Sequence, residues 1–313
     1  MSVPPPDLAH VTLAELAEPP RRRRRERNVS IVMLGAALAS VVISVLILWT
    51  LFSEAWVFMA NVDWSVVWGE IGWFPRRGLY DMPTLLIATL ITTVVAMIIA
   101  TPLGLGAAIY LAEYANPRTR KILKPTLEVL AGIPSVVLGF FALQWIAPEL
   151  VARMGGPSSG SLMAAGIGVG ILTIPLVASI SEDAMSAVPR ELREASAGLG
   201  ARKVTTTTRV VLPAAISGLV AAFIVATSRA IGETMVVFLA GGAADASLFT
   251  TSPFDPGLTM TAAMASLASG TDQVVGEGLT FQSLFFVGLV LFFITLGLNM
   301  IGNRFVARIR EAY

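Results

Sequence analysis

The chain contains no cysteine, one histidine and few charged residues, and each scarcity narrows what it can be. Without cysteine there are no disulfides, thiolate nucleophiles or cysteine-ligated metals. The single histidine, His10, lies in a proline-rich N-terminal segment, which argues against a histidine-based triad or metal cluster. Only 14% of the 313 residues are charged, whereas soluble domains have about a quarter. With 55% hydrophobic residues and a mean hydropathy of +0.75, the composition predicts an integral membrane protein.

Six apolar segments are each long enough to cross a bilayer core of about 30 Å, which takes about 20 helical residues. Their apolar runs are continuous and lack two-residue alternation, so they predict helices and not the strands of a barrel. The predicted fold class is therefore an all-α integral membrane protein. We place the spans near 31–53, 83–112, 126–148, 162–182, 213–240 and 281–303.

Lysine and arginine are distributed unevenly between the two sides of these spans. Eighteen of the 22 lie in the segment 1–28, the loops 113–125 and 183–212, and the C-terminal end, while three lie on the other side. The positive-inside rule therefore predicts that both termini are cytoplasmic. The segment 1–28, with its run RRRRRER, is predicted to be a flexible basic tail that anchors the first span, and not a nucleic-acid-binding arm. The transmembrane domain then covers 29–313.

The long cytoplasmic loop at 183–212 predicts a helix, a glycine break and a second short helix. Pro189 suits a helix start, and Gly198 and Gly200 suit its end. Such a helix pair, tied to two spans, is suited to transmitting force from a docked partner; a plain connecting loop is the alternative.

The spacing in this loop resembles the EAA signature of ABC importer permeases. That signature reads E-A-A, three residues, G, nine residues, I, one residue, L-P, and here serine replaces the second alanine and valine replaces isoleucine. The matching residues are Glu194, Ala195, Ser196, Gly200, Val210, Leu212 and Pro213. The resemblance implies a type I importer permease (MetI-like) fold, with a coupling helix near 188–199 that docks on a cytoplasmic ATPase.

The chain has no G-x-x-x-x-G-K-[ST] phosphate loop; GGPSSGS at 155–161 is followed by no lysine. The resemblance therefore implies that ATP and Mg²⁺ are bound by a separate ATPase dimer. This chain is then expected to carry no catalytic residue, cofactor or metal of its own. A membrane enzyme or sensor is the competing class, but it needs a catalytic constellation or a soluble signalling domain, and the sequence offers neither.

Two further segments narrow the resemblance to the phosphate-specific (Pst) importer permeases. They are AGIPSVVLGFF at 131–141 and RAIGET at 229–234, and the methionine after Glu-Thr is typical of the PstC subunit and not of its homologue PstA. The similarity covers about 75–310. It implies a multi-pass protein of the bacterial cell membrane with a PstA-like permease, an ATPase dimer and an extracytoplasmic phosphate-binding protein as partners. A permease for sulfate, molybdate or tungstate is the alternative.

Arg229 and Glu233 place opposite charges inside a strongly apolar span. A charge near the bilayer centre costs several kcal/mol, so such residues normally face a cavity or a partner. Their i,i+4 spacing predicts one shared helix face. They form either a structural ion pair or a site where Arg229 contacts phosphate. In the second case Glu233 holds Arg229 and accepts a hydrogen bond from the protonated phosphate oxygen that sulfate lacks. Ser228, Thr234 and Ser135 are candidate hydroxyl donors to the same pathway, or ordinary small packing residues.

Overall fold

The computed structural model describes residues 20–69, 71–242, 248–269 and 278–310, and these are mainly helical. The helices are α1 (Pro20–Asn61), α2 (Met82–Ile109), α3 (Pro117–Ala131), α4 (Ser135–Phe141), α5 (Leu162–Ser186), α6 (Arg190–Gly198), α7 (Lys203–Thr206), α8 (Leu212–Ala214), α9 (Ile216–Ile231), α10 (Met235–Ala240), α11 (Met260–Ala268) and α12 (Thr280–Arg310). π-Helical turns continue α2 over Tyr110–Tyr114, α4 over Ala142–Val151 and α7 over Thr207–Val211. One antiparallel hairpin, β1 (Trp73–Phe74) with β2 (Leu79–Tyr80), precedes α2.

Five helical stretches are long and apolar enough to cross a membrane, and a bent pair provides a sixth if it is counted as one span. They are Asn28–Asn61, Met82–Tyr114, Ser135–Met154, Leu162–Ser186 and Thr280–Arg308, and the pair is Lys203–Ala214 with Ile216–Ile231, bent by 71°. The all-α membrane fold predicted from the sequence is confirmed.

The chain forms two compact units, Met1–Ser53 and Glu54–Tyr313. In the first unit, the apolar side chains that begin at Val29 are exposed around α1, as expected for a helix in lipid. Most of the predicted tail 1–28 lies outside the described residues. The helix itself already begins at Pro20, ahead of the predicted start of the span.

The third span differs from its prediction at 126–148. α3 ends at Ala131, and α4 begins only at Ser135. The cause is the Gly-Ile-Pro sequence between them, because proline pushes the residue before it out of the helical region. α3 is amphipathic and has no buried residue, so the membrane-length helix is Ser135–Met154.

The fifth span, predicted as one helix over 213–240, is also broken. α9 ends at Ile231 and α10 begins at Met235, with Gly232, Glu233 and Thr234 between them. Glycine favours helix termination because its backbone is unrestrained. Arg229 and Glu233 therefore do not lie on one continuous helix, and their predicted i,i+4 relation does not hold.

α5 is the central helix of the second unit, and it packs along α2 through glycines. A Cβ on Gly166 would lie 2.6 Å from Val95, and one on Gly104 would lie 2.6 Å from Val177. Small residues let membrane helices approach closely, which replaces the hydrophobic driving force that lipid does not supply.

The loops of this unit lie at two opposite ends of the helix bundle. At one end, Arg193 of α6 hydrogen-bonds to Glu113 at the end of α2. At the other end, the N–H of Leu162 donates to the carbonyl of Asp255 at 3.1 Å. The loops after α2 and α5, both rich in lysine and arginine, thus meet at the same end, as alternating spans require.

Candidate functional site

α4 and α10, the helices that follow the two breaks, are in direct contact. A Cβ on Gly139 of α4 would lie 2.9 Å from Leu239 Cδ1 and 3.0 Å from the carbonyl oxygen of Met235. Ser135 is the first residue of α4, one turn before Gly139. α4 and α10 each start directly after a break between helices, and they pack against each other beyond it.

Arg229 lies in the last turn of α9, far along the helix from the contact that α9 makes with α5 near its start. Near the start of α9, Gly218 contacts α5, since a Cβ on it would lie 2.5 Å from Ala184 Cβ. Arg229 follows Gly218 by eleven residues of helix, or about 16 Å at 1.5 Å per residue. This distance is about half the thickness of a bilayer core of about 30 Å.

Arg229 and Glu233 face different surroundings. Arg229 is exposed, and it has no hydrogen bond or ion pair among the residues that the structure describes. Glu233 is buried, and its Oε1 accepts from the backbone N–H groups of Met235 at 3.2 Å and Val236 at 3.4 Å. The carboxylate thus caps the start of α10 and is not the partner of Arg229, which corrects the predicted ion pair.

The three candidate hydroxyl groups have different environments. Ser228 Oγ is buried and lacks a hydrogen-bond partner within the described ranges. Thr234 Oγ1 lies 3.4 Å from the carbonyl oxygen of Gly232, and Ser135 is partly buried at the start of α4. Ser228 and Arg229 thus share the last turn of α9, whereas Thr234 belongs to the break.

The predicted coupling helix is present as α6. It has no buried residue, and Glu194 and Ala195 are exposed. Ser196 Oγ lies 2.8 Å from Thr206 Oγ1, which ties α6 to α7. Gly200 follows with a φ of +75°, a left-handed conformation that favours glycine and ends the helix.

The second half of the motif leads directly into the fifth span. Val210 lies in the π-helical turn after α7, and Leu212 and Pro213 are the first two residues of α8. Val211, between them, is fully buried in an apolar cluster with Met185 of α5 and Ala108 of α2. The motif therefore connects an exposed helix to the packed interior within a few residues.

Sequence reasoning missed Arg193, which joins α6 to the ends of α2 and α5 by hydrogen bonds. Its guanidinium donates to Glu113 Oε1 from Nε at 3.1 Å and from Nη2 at 2.9 Å. It also donates to the carbonyls of Met185 at 2.8 Å and Val188 at 2.6 Å. The partner Glu113 is 80 positions away in sequence, so no local pattern could have revealed the pair.

A second missed cluster attaches α3 to α5. The side chain of Glu182 is fully buried, and it pairs with Arg120 and with Lys124, whose Nζ lies 2.6 Å from Oε2. Lys124 also contacts Asp183 at 2.8 Å. These hydrogen bonds, first to Asp183 and then to Glu182, raise the pKa of Lys124 above its ordinary value. Since α3 buries no side chain, this cluster is its main polar attachment.

Residues 100–311 match the protein family described as "Binding-protein-dependent transport system inner membrane component". That range contains both breaks, Arg229 and the whole EAA motif. The chain belongs to this family. It is thus a permease component of the ABC importer class, with several membrane-spanning helices.

The permease is also similar to relatives over most of its length. It is 32% identical over 279 residues to "Phosphate transport system permease protein PstC" of Mesorhizobium japonicum, covering 83% of each chain. It is 31% identical over 225 residues to "Phosphate transport system permease protein PstA 1" of Mycobacterium tuberculosis, covering 71% of each. The sequence thus resembles both kinds of subunit.

Solved structures support the fold of the permease. A chain of the MetNI methionine ABC transporter in an inward-facing conformation aligns with a TM-score of 0.53 at 20% identity, covering 72% of this chain and 93% of that one. A chain of a bacterial ABC transporter involved in alginate import aligns with a TM-score of 0.61 at 11% identity, covering 92% and 99%. The MetI-like fold implied by the sequence resemblance is confirmed.

Proposed function

We propose that this permease is a membrane subunit of an ATP-driven importer of inorganic phosphate and forms half of the translocation pathway. A PstA-like permease provides the other half. Its similarity to PstC and PstA proteins, both named as phosphate transport permeases, supports phosphate as the substrate. Sulfate, molybdate or tungstate is the weaker candidate, because the PstC and PstA relatives described above are named for phosphate.

The observation that carries the proposal is the free guanidinium of Arg229 near mid-membrane. Because Glu233 is engaged by the backbone of α10, the positive charge of Arg229 is not neutralised within the described part of the chain. An unpaired charge at this depth requires a cavity or a partner. A phosphate anion satisfies that requirement, since guanidinium donates a planar fork of N–H groups to oxyanions. Ser228, with its unpartnered hydroxyl, is a second donor on the same turn.

The coupling loop supports the ATP-driven part of the proposal. α6 presents an exposed surface that includes Glu194 and Ala195, and the chain continues from it into the fifth span. We assign ATP and Mg²⁺ to a separate cytoplasmic ATPase dimer that docks there, so this chain carries no catalytic residue or cofactor. An extracytoplasmic phosphate-binding protein delivers the substrate at the opposite end.

The orientation follows from the distribution of charge. The basic loops around α3 and α6 lie at one end of the bundle, and the positive-inside rule assigns that end to the cytoplasm. The chain then has six spans, with both termini cytoplasmic, in a bacterial inner membrane. We expect the apolar surface of the chain to contact the lipid bilayer, and we expect no nucleic-acid partner.

Arg229→Gln tests the pathway assignment in the complex reconstituted with its partner permease, ATPase and binding protein. A hydrogen bond to a charged group contributes about 1.5–3 kcal/mol, so we expect uptake of radiolabelled phosphate to fall by about ten- to one-hundred-fold. Arg229→Lys should retain part of the activity because it keeps the charge without the fork. Thr227→Val is the matched control, since its hydroxyl donates only to the carbonyl of Phe223 in its own helix. Normal uptake by an assembled Arg229→Gln complex would falsify the pathway role.

A further inference from the structure

Arg193 makes an unusually complete set of contacts at the cytoplasmic end of the permease. A guanidinium has five N–H donors, and Arg193 uses all of them, since Nη1 is also 3.5 Å from the carbonyl of Pro189. The Glu113 side chain is only 6% exposed and that of Arg193 23%. This side chain is therefore held in one position, unlike that of Arg118, which is exposed and has no hydrogen bond or ion pair among the described residues.

The contacts of Arg193 lie on elements that are themselves fixed. Met185 is fully buried at the end of α5, and Val188 is buried just beyond it. Both belong to the apolar cluster that also contains Ala108 of α2. Glu113 lies five residues past Ala108, in the π-helical turn that continues α2. A displacement of Arg193 would therefore act on α2, through Glu113, and on α5, through Met185, at the same time.

α6 buries no residue, and its other attachments are backbone or local ones. They are the short connection from α5, the Ser196–Thr206 contact with α7, and packing against the turn Thr207–Val211 that follows α7. Arg193–Glu113 is therefore the side-chain contact that joins α6 to α2, which is distant in sequence. We propose that Arg193 is the positioning residue that transmits displacement of α6 to α2 and α5, so that ATPase motion is converted into opening of the pathway. This inference rests on the proposed function for its direction of coupling. It assigns to one ion pair, Arg193–Glu113, a role separate from ATPase docking, which uses the exposed face of α6.

The expected signature is loss of coupling and not loss of assembly. In the reconstituted complex, Arg193→Ala should still retain the ATPase in a pull-down and hydrolyse ATP, but it should transport several-fold fewer phosphate ions per ATP. Arg193→Lys should restore only part of the wild-type number of phosphate ions transported per ATP. An ammonium group has three N–H donors and lacks the planar, forked geometry of a guanidinium. Arg118→Ala is the matched control, since Arg118 is an exposed cytoplasmic-side arginine without a hydrogen bond or ion pair among the described residues. A role limited to stability would lower ATP hydrolysis and uptake together and leave the ratio unchanged, which would overturn the proposal.

A second variant protects the test against misfolding. Glu113→Gln removes the charge of the partner but leaves the carbonyl bonds of Arg193 in place, so a mild reduction in the ratio is expected. If Arg193→Ala fails to assemble, the Glu113→Gln ratio decides: a wild-type value rejects the proposal, and a lowered value supports it.

A distance measurement separates this inference from the proposed substrate. The chain has no cysteine, so spin labels can be attached to Tyr110→Cys at the end of α2 and Ala197→Cys on α6, both exposed positions. In the assembled complex we expect the label distance to stay the same with and without ATP, and to change with ATP once Arg193 is replaced by alanine. Identical behaviour of both proteins would reject the proposal, even if phosphate is not the substrate. Absence of phosphate uptake by the wild type would reject the proposed function alone.

Discussion

Glu233 is a buried carboxylate whose partners are backbone N–H groups. Glu233 Oε1 accepts hydrogen bonds from the N–H groups of Met235 and Val236. These are the first two residues of a six-residue helix, whose initial N–H groups have no partner within the helix. The backbone carbonyl of Glu233 also accepts from the hydroxyl of Thr261 at 2.7 Å. The role of Glu233 is thus to hold the break in shape, and Arg229 remains available to an anion.

We expect Glu233→Gln to keep the discrimination between phosphate and sulfate, because an amide oxygen still accepts from the backbone. Glu233→Ala removes the cap, which should lower the stability of the complex by about 0.5–2 kcal/mol. Thermal unfolding of the purified complex and competition of sulfate against labelled phosphate measure the two effects. A gain of sulfate uptake in Glu233→Gln would instead mean that the carboxylate reads the proton of the substrate.

At the residue level, sequence patterns indicated which residues are unusual but not how they are paired. Arg229 stands out as a charge in an apolar run, and the EAA spacing identifies α6 from a local pattern. The pairing of Arg229 with Glu233 was wrong because helical spacing was assumed across Gly232. Arg193–Glu113 and Glu182 with its cations join distant segments, and their geometry depends on tertiary packing.

At the level of elements, the principal finding is that the fifth span is broken within its predicted range and that the third begins only after the break at 132–134. α4 and α10, the helices that follow these two breaks, pack together. Apolar composition predicts that a segment crosses the membrane, but it does not reveal where the helix is interrupted. The local signals were present, as Gly132 with Pro134 in one span and Gly232 in the other. Irregular backbone at membrane depth is tolerated where it is buried in protein or lines a cavity, so the break at 232–234, with Glu233 buried, fits a pathway.

Gly139→Ala tests the contact between α4 and α10. The new methyl group would lie 2.9 Å from Leu239 and 3.0 Å from a backbone carbonyl that cannot move freely. Overpacking of this kind costs about 1–3 kcal/mol, so the melting temperature of the complex and its uptake should both fall. Gly106→Ala in α2 is the matched control, because no atom lies within 4 Å of its added carbon. It should stabilise the protein by about 0.4–1 kcal/mol through the unfolded state. Equal effects of the two substitutions would contradict the proposed packing.

At the level of the whole molecule, the account requires the loops of α3 and α6 to face the cytoplasm. The absence of native cysteine allows this orientation to be read from single-cysteine variants without background. Leu199 is 89% exposed at the end of α6, and Ser158 is exposed at the opposite end of the bundle. In intact spheroplasts, a membrane-impermeant maleimide should label Ser158→Cys and should label Leu199→Cys only after permeabilisation. The reverse pattern would invert the topology and place the coupling helix on the wrong side for an ATPase.

Whether this permease imports phosphate is decided by ATP-driven uptake of labelled phosphate into proteoliposomes. These contain the permease, its PstA-like partner, the ATPase and the phosphate-binding protein. We expect uptake that requires ATP and the binding protein and that is competed by unlabelled phosphate but not by sulfate or molybdate. It should be largely lost in Arg229→Gln. Uptake that prefers sulfate or molybdate, or that proceeds unchanged without Arg229, would show that the proposed function or the role of Arg229 is wrong.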